Sequence, residues 1–233
     1  WQDNLSRWEG MIAAIEQATA PGSELHQHTH LSLLRFGHDP FPNDAGSTIE
    51  GETSGIVDGQ KIDLFWDDAD EQYSSCVGPS IASKLDTVPA PMNGSTIGIA
   101  TWTKGALDRA AVEIATTKAD HPADQQAPAR PYVILLFTDG AWTSADGGGQ
   151  MSPASENPAL TAADLHGRQG IRTYVITIAA SDQAEAAADE LAAAGGTNSA
   201  FVADTPAQLD QALDTVVSNI MNSHVATQCA ACP

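Results

Sequence analysis

The chain has 233 residues, of which 42% are hydrophobic, and this length and composition suit a folded α/β domain rather than a disordered chain. Its formal net charge of −20 comes from 30 acidic and 10 basic residues, and such a surface disfavours nucleic acid and anionic membranes as partners. No apolar run reaches the roughly 18 residues of a membrane-spanning helix, so we expect no membrane span.

The two ends of the sequence bear on processing and compartment. Because the sequence starts at Trp1 rather than at a methionine, we expect a processed or trimmed product with further residues upstream. Its three cysteines are Cys76, Cys229 and Cys232, and the Cys-x-x-Cys pair has no second pair, which argues against a zinc site. We favour a disulfide in an exported protein, with one cysteine of the pair joined to Cys76.

The first elements are a helix and a strand. Apolar residues at helical spacing predict an amphipathic helix over residues 1–17, ended by Pro21-Gly22. Residues 31–36 predict a strand, and three histidines alternate just before it: His26, His28 and His30. On an extended chain these histidines would share one face and could hold a metal. We favour a solvated strand entrance instead, because no carboxylate or cysteine stands at a matching spacing.

The next segment combines an edge strand with acidic residues. Two short alternating runs within residues 56–66 predict a hairpin or an edge strand around Asp58-Gly59. An acidic cluster follows, made of Asp67, Asp68, Asp70 and Glu71. A calcium loop would need a glycine turn that this cluster lacks, so we favour a solvated acidic face. Residues 79–88 predict a short helix.

The most informative stretch is PYVILLFTDG, at residues 131–140. Its unbroken apolar run predicts a strand buried on both faces of a parallel sheet. Asp139 follows at the carboxyl end, where open α/β sheets bind their ligands, although a turn aspartate is the alternative. Upstream, residues 104–119 predict a helix that is entered through Thr101-Trp102-Thr103, and its amino end offers free amides.

Helices and strands alternate through the last third of the chain. Strands are predicted at 171–179 and 199–204, and helices at 160–167, 181–194 and 205–221. The glycines at 147–149 do not turn directly into a helix, which argues against a phosphate-binding loop.

This alternation predicts an α/β fold: a doubly wound, mostly parallel central sheet with helices on both faces and one antiparallel edge strand. We expect one sheet to hold the strands at 31–36, 133–138, 171–178 and 200–202. A single domain would span residues 1–222, and a tail that carries the cysteine pair would occupy 223–233.

Four motifs, in this order, resemble the von Willebrand factor type A (vWA) domain, and the likeness covers nearly the whole chain. They are the helix entrance Thr101-Trp102-Thr103-Lys104-Gly105-Ala106-Leu107, the strand VILLFTDG at 133–140, GIRTYVITIA at 170–179, and AGGTNSAFVADTPAQLDQAL at 194–213. The resemblance implies the doubly wound, Rossmann-like sheet of that family.

The resemblance also implies a metal-ion-dependent adhesion site on the crown of the sheet. Thr101 would be its hydroxyl ligand and Asp139 its carboxylate ligand. The ion would be Mg²⁺ or Ca²⁺, and a carboxylate on a protein partner would complete the coordination. Candidate partner contacts are Trp102, Thr103 and Trp142; for the two tryptophans, packing beneath the loops is the alternative.

The chain departs from the family at the Asp-x-Ser-x-Ser loop, which follows the family's first strand and supplies further metal ligands. No such motif occurs here, and Trp1 lies about where it would end. That strand lies in the middle of the family's sheet. An open slot would leave ~8–10 buried backbone groups unsatisfied, at roughly 1–3 kcal/mol each. We therefore expect residues upstream of Trp1, or another chain, to fill it.

The leading functional hypothesis is a metal-ion-dependent protein-binding or adhesion module of an exported or cell-surface protein. The alternative is a structural or assembly module of the same fold with an incomplete, non-functional metal site. An enzyme is not expected, because the sequence shows no paired general acid and base and no nucleophile elbow.

Overall fold

The computed structural model describes residues 4–37, 59–68, 70, 72–88, 100–126, 129–139, 141–178 and 180–223. These residues form an α/β structure, and none of their helices is long and apolar enough to cross a membrane. The elements are α1 (Asn4–Thr19), α2 (Glu24–His28), β1 (Leu33–Phe36), β2 (Gln60–Leu64), α3 (Gly78–Leu85), α4 (Thr103–Asp120), β3 (Val133–Thr138), α5 (Pro158–Gln169), β4 (Arg172–Ile178), α6 (Asp182–Ala194), β5 (Phe201–Ala203) and α7 (Pro206–Ser223).

The described strands form two sheets. A parallel sheet has the order β3-β4-β5, with Val133 opposite Arg172 and Ile176 opposite Phe201. Helices α5 and α6 connect its successive strands, as parallel pairing requires. The second sheet is the antiparallel pair β1-β2, in which Phe36 lies opposite Gln60. The α/β class, the parallel sheet and an antiparallel strand are thus confirmed.

The expectation of one continuous sheet is wrong for the described residues. We expected the strand at 31–36 to share a sheet with the strand at 133–138, but β1 pairs with β2 and β3 pairs with β4. Both β1 and β3 line one apolar cavity of about 570 Å³, which separates their facing edges. Two strands divided by such a gap cannot exchange backbone hydrogen bonds, since paired strands lie ~4.8 Å apart.

The core of the parallel sheet lies on both sides of β4. Val175 packs in a cluster with Leu107 of α4 and with residues of α5 and α6. Its neighbour Ile176 packs with Leu209 of α7 and Ala14 of α1. Because successive side chains of a strand point to opposite faces, α4, α5 and α6 cover one face and α1 and α7 cover the other.

Local signals explain where several helices begin and end. Helix α5 begins after Asn157, whose side chain accepts a hydrogen bond from the Ala159 amide, and it ends at Gly170 in the left-handed conformation. Ser181 caps α6 in the same way, through the Ala184 amide. The predicted helix at 160–167 therefore began two residues too late and ended two residues too early.

The histidine segment differs from its prediction. Residues 24–28 are helical, and the Ser23 hydroxyl accepts the His26 amide hydrogen bond that caps this short helix. His26 and His28 therefore do not alternate on an extended face with His30. His28 instead lies 3.6 Å from Glu24, and His30 stacks on Tyr73.

The acidic cluster also differs in part from the predicted solvated face. Asp68 and Asp70 are exposed, as a solvated face requires. The side chain of Asp67, however, is only 7% exposed, and its Oδ2 lies 3.1 Å from Nε2 of His121. The contact with His121, 54 residues away in the sequence, therefore accounts for the burial of this carboxylate.

A buried charge network ties β1, β2 and α3 together. The carboxylate of Asp63 is fully buried and forms a two-pronged ion pair with Arg35 of β1, including a contact of 2.9 Å from Nη2 to Oδ1. Lys84 of α3 reaches the same carboxylate at 3.3 Å, and Lys61 lies at 4.0 Å. Removing Asp63 would therefore take away the buried carboxylate that all three cations share, which is costly for a buried ion pair.

Cys76 is disulfide-bonded, and the other two cysteines of the chain, Cys229 and Cys232, lie outside the described residues, as does most of the tail at 223–233. With one disulfide among three cysteines, we expect one free thiol per denatured chain. Thiol titration in denaturant, with and without a reductant, checks this prediction. Three thiols in the absence of reductant would contradict it.

Candidate functional site

Asp139 follows β3 directly, at the carboxyl end of the parallel sheet. Its carboxylate is half exposed, with 53% of the side-chain surface accessible. The closest cation is Arg7 of α1, whose Nη1 lies 3.7 Å from Oδ2 of Asp139. This contact could not be predicted from the sequence, because it joins residues 132 positions apart.

Thr101 lies just before α4, where the structure fixes its backbone. Its carbonyl oxygen accepts hydrogen bonds from the amides of Thr103 and Thr143, each at 2.8 Å. Because Thr143 belongs to the segment after β3, this bond fastens that segment to the entrance of α4. Thr101 and Asp139 both line the cavity between β1 and β3. The assignment of the two residues as metal ligands stays a prediction.

The candidate partner contacts are placed differently from one another. Thr103 is 3% exposed and Trp142 is 5% exposed, so both side chains pack beneath the loops. Trp102 is partly exposed, and its indole nitrogen donates a hydrogen bond of 2.8 Å to Glu156. A Cβ atom on Gly105 would come within 2.5 Å of the Trp102 ring, so this glycine allows the close contact. In this conformation only Trp102 of the three remains accessible to a partner.

The glycine loop after β3 is occupied by its own side chains. The Gly148 amide donates to the Asp146 carboxylate at 3.0 Å, and the Gly149 amide donates to the Ser144 hydroxyl at 2.9 Å. These amides are therefore not free to cradle a phosphate.

The cavity has two strand walls and two helical faces. Residues 33–36 of β1 form one wall, and residues 133–138 of β3 form the other. Helix α1 closes one face with Trp8, Met11 and Ile15, and α4 closes the opposite face with Leu107, Ala110 and Ile114. Since neither strand has a partner on this side among the described residues, each turns a row of backbone donors and acceptors toward the cavity.

Both strand walls run in the same direction. His30 precedes β1 and Tyr132 precedes β3, and Tyr73 contacts both of them at one end of the cavity. Asp139, which follows β3, lies at the other end together with Arg7. A gap between two strands that begin at the same end has the shape of a slot for one extended segment.

The oxygen ligands at the carboxyl end of the sheet are of the type that a hard cation binds, but they are too few. Mg²⁺ and Ca²⁺ prefer oxygen ligands, and Thr101 and Asp139 offer a hydroxyl and a carboxylate. Within the residues that the structure describes, no group of three or more His, Cys, Asp or Glu could hold a metal ion. The Arg7 guanidinium beside Asp139 also competes for that carboxylate. The described side chains therefore supply only part of a cation site.

Comparison with known proteins leaves the family open. No family model matches the chain, and no curated protein matches it either.

Proposed function

We propose that this chain is most of a vWA-type domain that works as a cation-dependent protein-binding module. The observation that carries the proposal is that Asp139, directly after β3, and Thr101, whose carbonyl accepts the Thr143 amide, both line the slot between β1 and β3, in which the described residues place no strand. Ligands of open α/β sheets bind at this edge. With the slot filled, the two sheets would become one doubly wound sheet with β2 at its antiparallel edge.

The proposed occupant of the slot is a strand of the same protein that lies upstream of Trp1. Arg7 belongs to the second turn of α1 and reaches Asp139, so α1 begins near the carboxyl end of the slot. A strand that runs parallel to β3 would end at that same point and could enter α1 through a short connection. A strand from another chain is the alternative occupant, and it would need no such connection.

The chemistry of the slot restricts this strand. Its central residues would be apolar on both faces, because α1 and α4 cover the two faces of the cavity with apolar side chains. Its carboxyl end would supply further oxygen ligands beside Asp139 and Thr101. The completed site would hold Mg²⁺ or Ca²⁺ and would leave one position for a carboxylate of a protein partner. This function suits an exported or cell-surface protein in an extracellular setting, and it involves binding rather than catalysis.

A structural or assembly role is the second candidate. The contact between Arg7 and Asp139 favours it, because a guanidinium there can neutralise the carboxylate without any metal ion. Under this alternative the slot would still be filled by a strand, but the fold would bind its neighbours without a cation.

Substitution of Asp139 separates the two candidates in the protein with its slot filled. Asp139→Ala should weaken Mg²⁺ binding at least about 100-fold, because even supporting groups of metal sites are worth 10–100-fold in affinity. The fold should persist by circular dichroism, since the side chain is half exposed. Asp164→Ala, an exposed acid on α5, is the matched control and should bind as the wild type does. Undiminished Mg²⁺ binding by Asp139→Ala would contradict the proposal.

A further inference from the structure

A group of aromatic and charged side chains connects the two sheets at the end of the cavity opposite Asp139. We call it the Tyr73 cluster; it contains His30, Tyr73, His121, Asp124, Arg130 and Tyr132. His30 lies just before β1 and Tyr132 lies directly before β3, so the cluster joins the beginnings of the two strands that flank the slot. Four of its members line that end of the cavity: His30, Tyr73, Arg130 and Tyr132.

Tyr73 makes most of the contacts in the cluster. Its ring centroid lies 4.6 Å from that of His30 and 4.2 Å from that of His121, with both pairs stacked. The guanidinium carbon of Arg130 lies 4.3 Å from the same centroid. The Tyr73 hydroxyl donates to Asp124 and lies 2.9 Å from the Tyr132 hydroxyl. Burial raises the pKa of Tyr73, so this hydroxyl keeps its proton.

The surroundings of His30 disfavour a charged ring. Burial lowers the pKa of His30, and the nearby Arg130 cation acts in the same direction. The carbonyl of Ser74, 2.8 Å from Nδ1, and the carboxylates of Asp67 and Asp124 favour the charged ring, but the pKa of His30 stays below its ordinary value. Asp67 is itself engaged by His121. On the chain before His30, His28 and Glu24 face each other at 3.6 Å, and His26 between them is buried.

We propose that the Tyr73 cluster is an acid-sensitive contact that holds the beginnings of β1 and β3 together and opens when His30 takes up a proton. In the open state His30 would return to an ordinary pKa of about 6.5. The closed state binds the proton less well, so its stability is complete above that pH and is lost as the pH falls below it. Uptake of one proton changes the opening equilibrium by at most about tenfold per pH unit. This inference does not depend on the metal site.

Hydrogen exchange tests the opening directly. Exchange of the amides in residues 66–68, 72–74, 121–126 and 129–132 should be measured at pH 7.5 and 5.5 and corrected for the intrinsic pH dependence. We expect their protection to fall up to about tenfold in acid, while that of β4 (residues 172–178) stays unchanged. His30→Gln should abolish the difference between the two pH values. His166→Gln, in α5 and outside the cluster, should keep it.

Two further measurements keep the test decisive. Tyr73→Phe removes the hydroxyl bonds but leaves His30. Amide protection in this variant should be lower than in the wild type at both pH values and should still fall in acid. An NMR titration of the His30 ring in the wild type should give a pKa below its ordinary value, and this reading stands even where His30→Gln does not fold. Equal protection at both pH values in the wild type would overturn the proposal. So would an acid response that persists in His30→Gln or that disappears in His121→Gln alone.

Discussion

Replacing Asp63 with alanine should lower the free energy of unfolding by about 3–5 kcal/mol, the usual cost of breaking a buried ion pair. The substitution leaves the guanidinium of Arg35, a residue only 8% exposed, without its two-pronged partner. It also removes the carboxylate that Lys84 reaches from α3. Urea unfolding followed by circular dichroism measures the change.

Two matched variants show whether the loss comes from breaking the buried ion pair. Asp164→Ala removes an exposed carboxylate paired with Arg168 and should change stability by less than about 1 kcal/mol. The double substitution Asp63→Leu with Arg35→Met replaces both charges by apolar groups and should recover much of the loss. A cost below about 1 kcal/mol for Asp63→Ala would show that the network does not hold β1, β2 and α3 together.

Filling the slot between β1 and β3 with a strand should also raise the free energy of unfolding by a large amount. A version of the protein extended by its upstream strand should unfold with a free energy at least about 3 kcal/mol higher than the chain from Trp1, because burying each large apolar side chain contributes ~1.5–3 kcal/mol. The new strand would also pair with those edges of β1 and β3 that have no partner strand among the described residues. Urea unfolding of the two versions gives the difference.

The control for this effect is a proline in the middle of the added strand, which removes a ladder hydrogen bond and should abolish most of the gain. An extended version no more stable than the chain from Trp1 would contradict a same-chain occupant. If the chain from Trp1 instead gained stability with rising protein concentration, the occupant would be a second chain.

The sequence predicted those elements whose signals are local. The apolar runs at 133–138 and 171–178 became β3 and β4. Burial on both faces holds for β4 but not for β3, in which only Leu136 is buried. The sequence could not tell which strands pair, since the alternation of helices and strands does not specify neighbours across a gap. The pairing of β1 with β2 rather than with the parallel strands therefore became visible only in the structure.

The errors at polar segments have a common cause in contacts between distant residues. The alternating histidines suggested an extended chain, but a five-residue helix that Ser23 caps places His26 and His28 differently. Asp67 was expected in solvent, but His121 binds it inside. At the candidate site, Thr101 and Asp139 followed from motif resemblance, whereas Arg7 carried no signal because its partner Asp139 lies 132 positions away in the sequence.

Calorimetric titration with Mg²⁺ tests the central claim, that a strand in the slot completes a cation site at Asp139 and Thr101. The chain from Trp1 and its strand-extended version should be titrated at the same concentration and ionic strength. We expect little or no binding by the first, because two side chains are too few ligands for Mg²⁺, and clear one-site binding by the second. Tight Mg²⁺ binding by the chain from Trp1, or none by a folded extended version, would contradict the account.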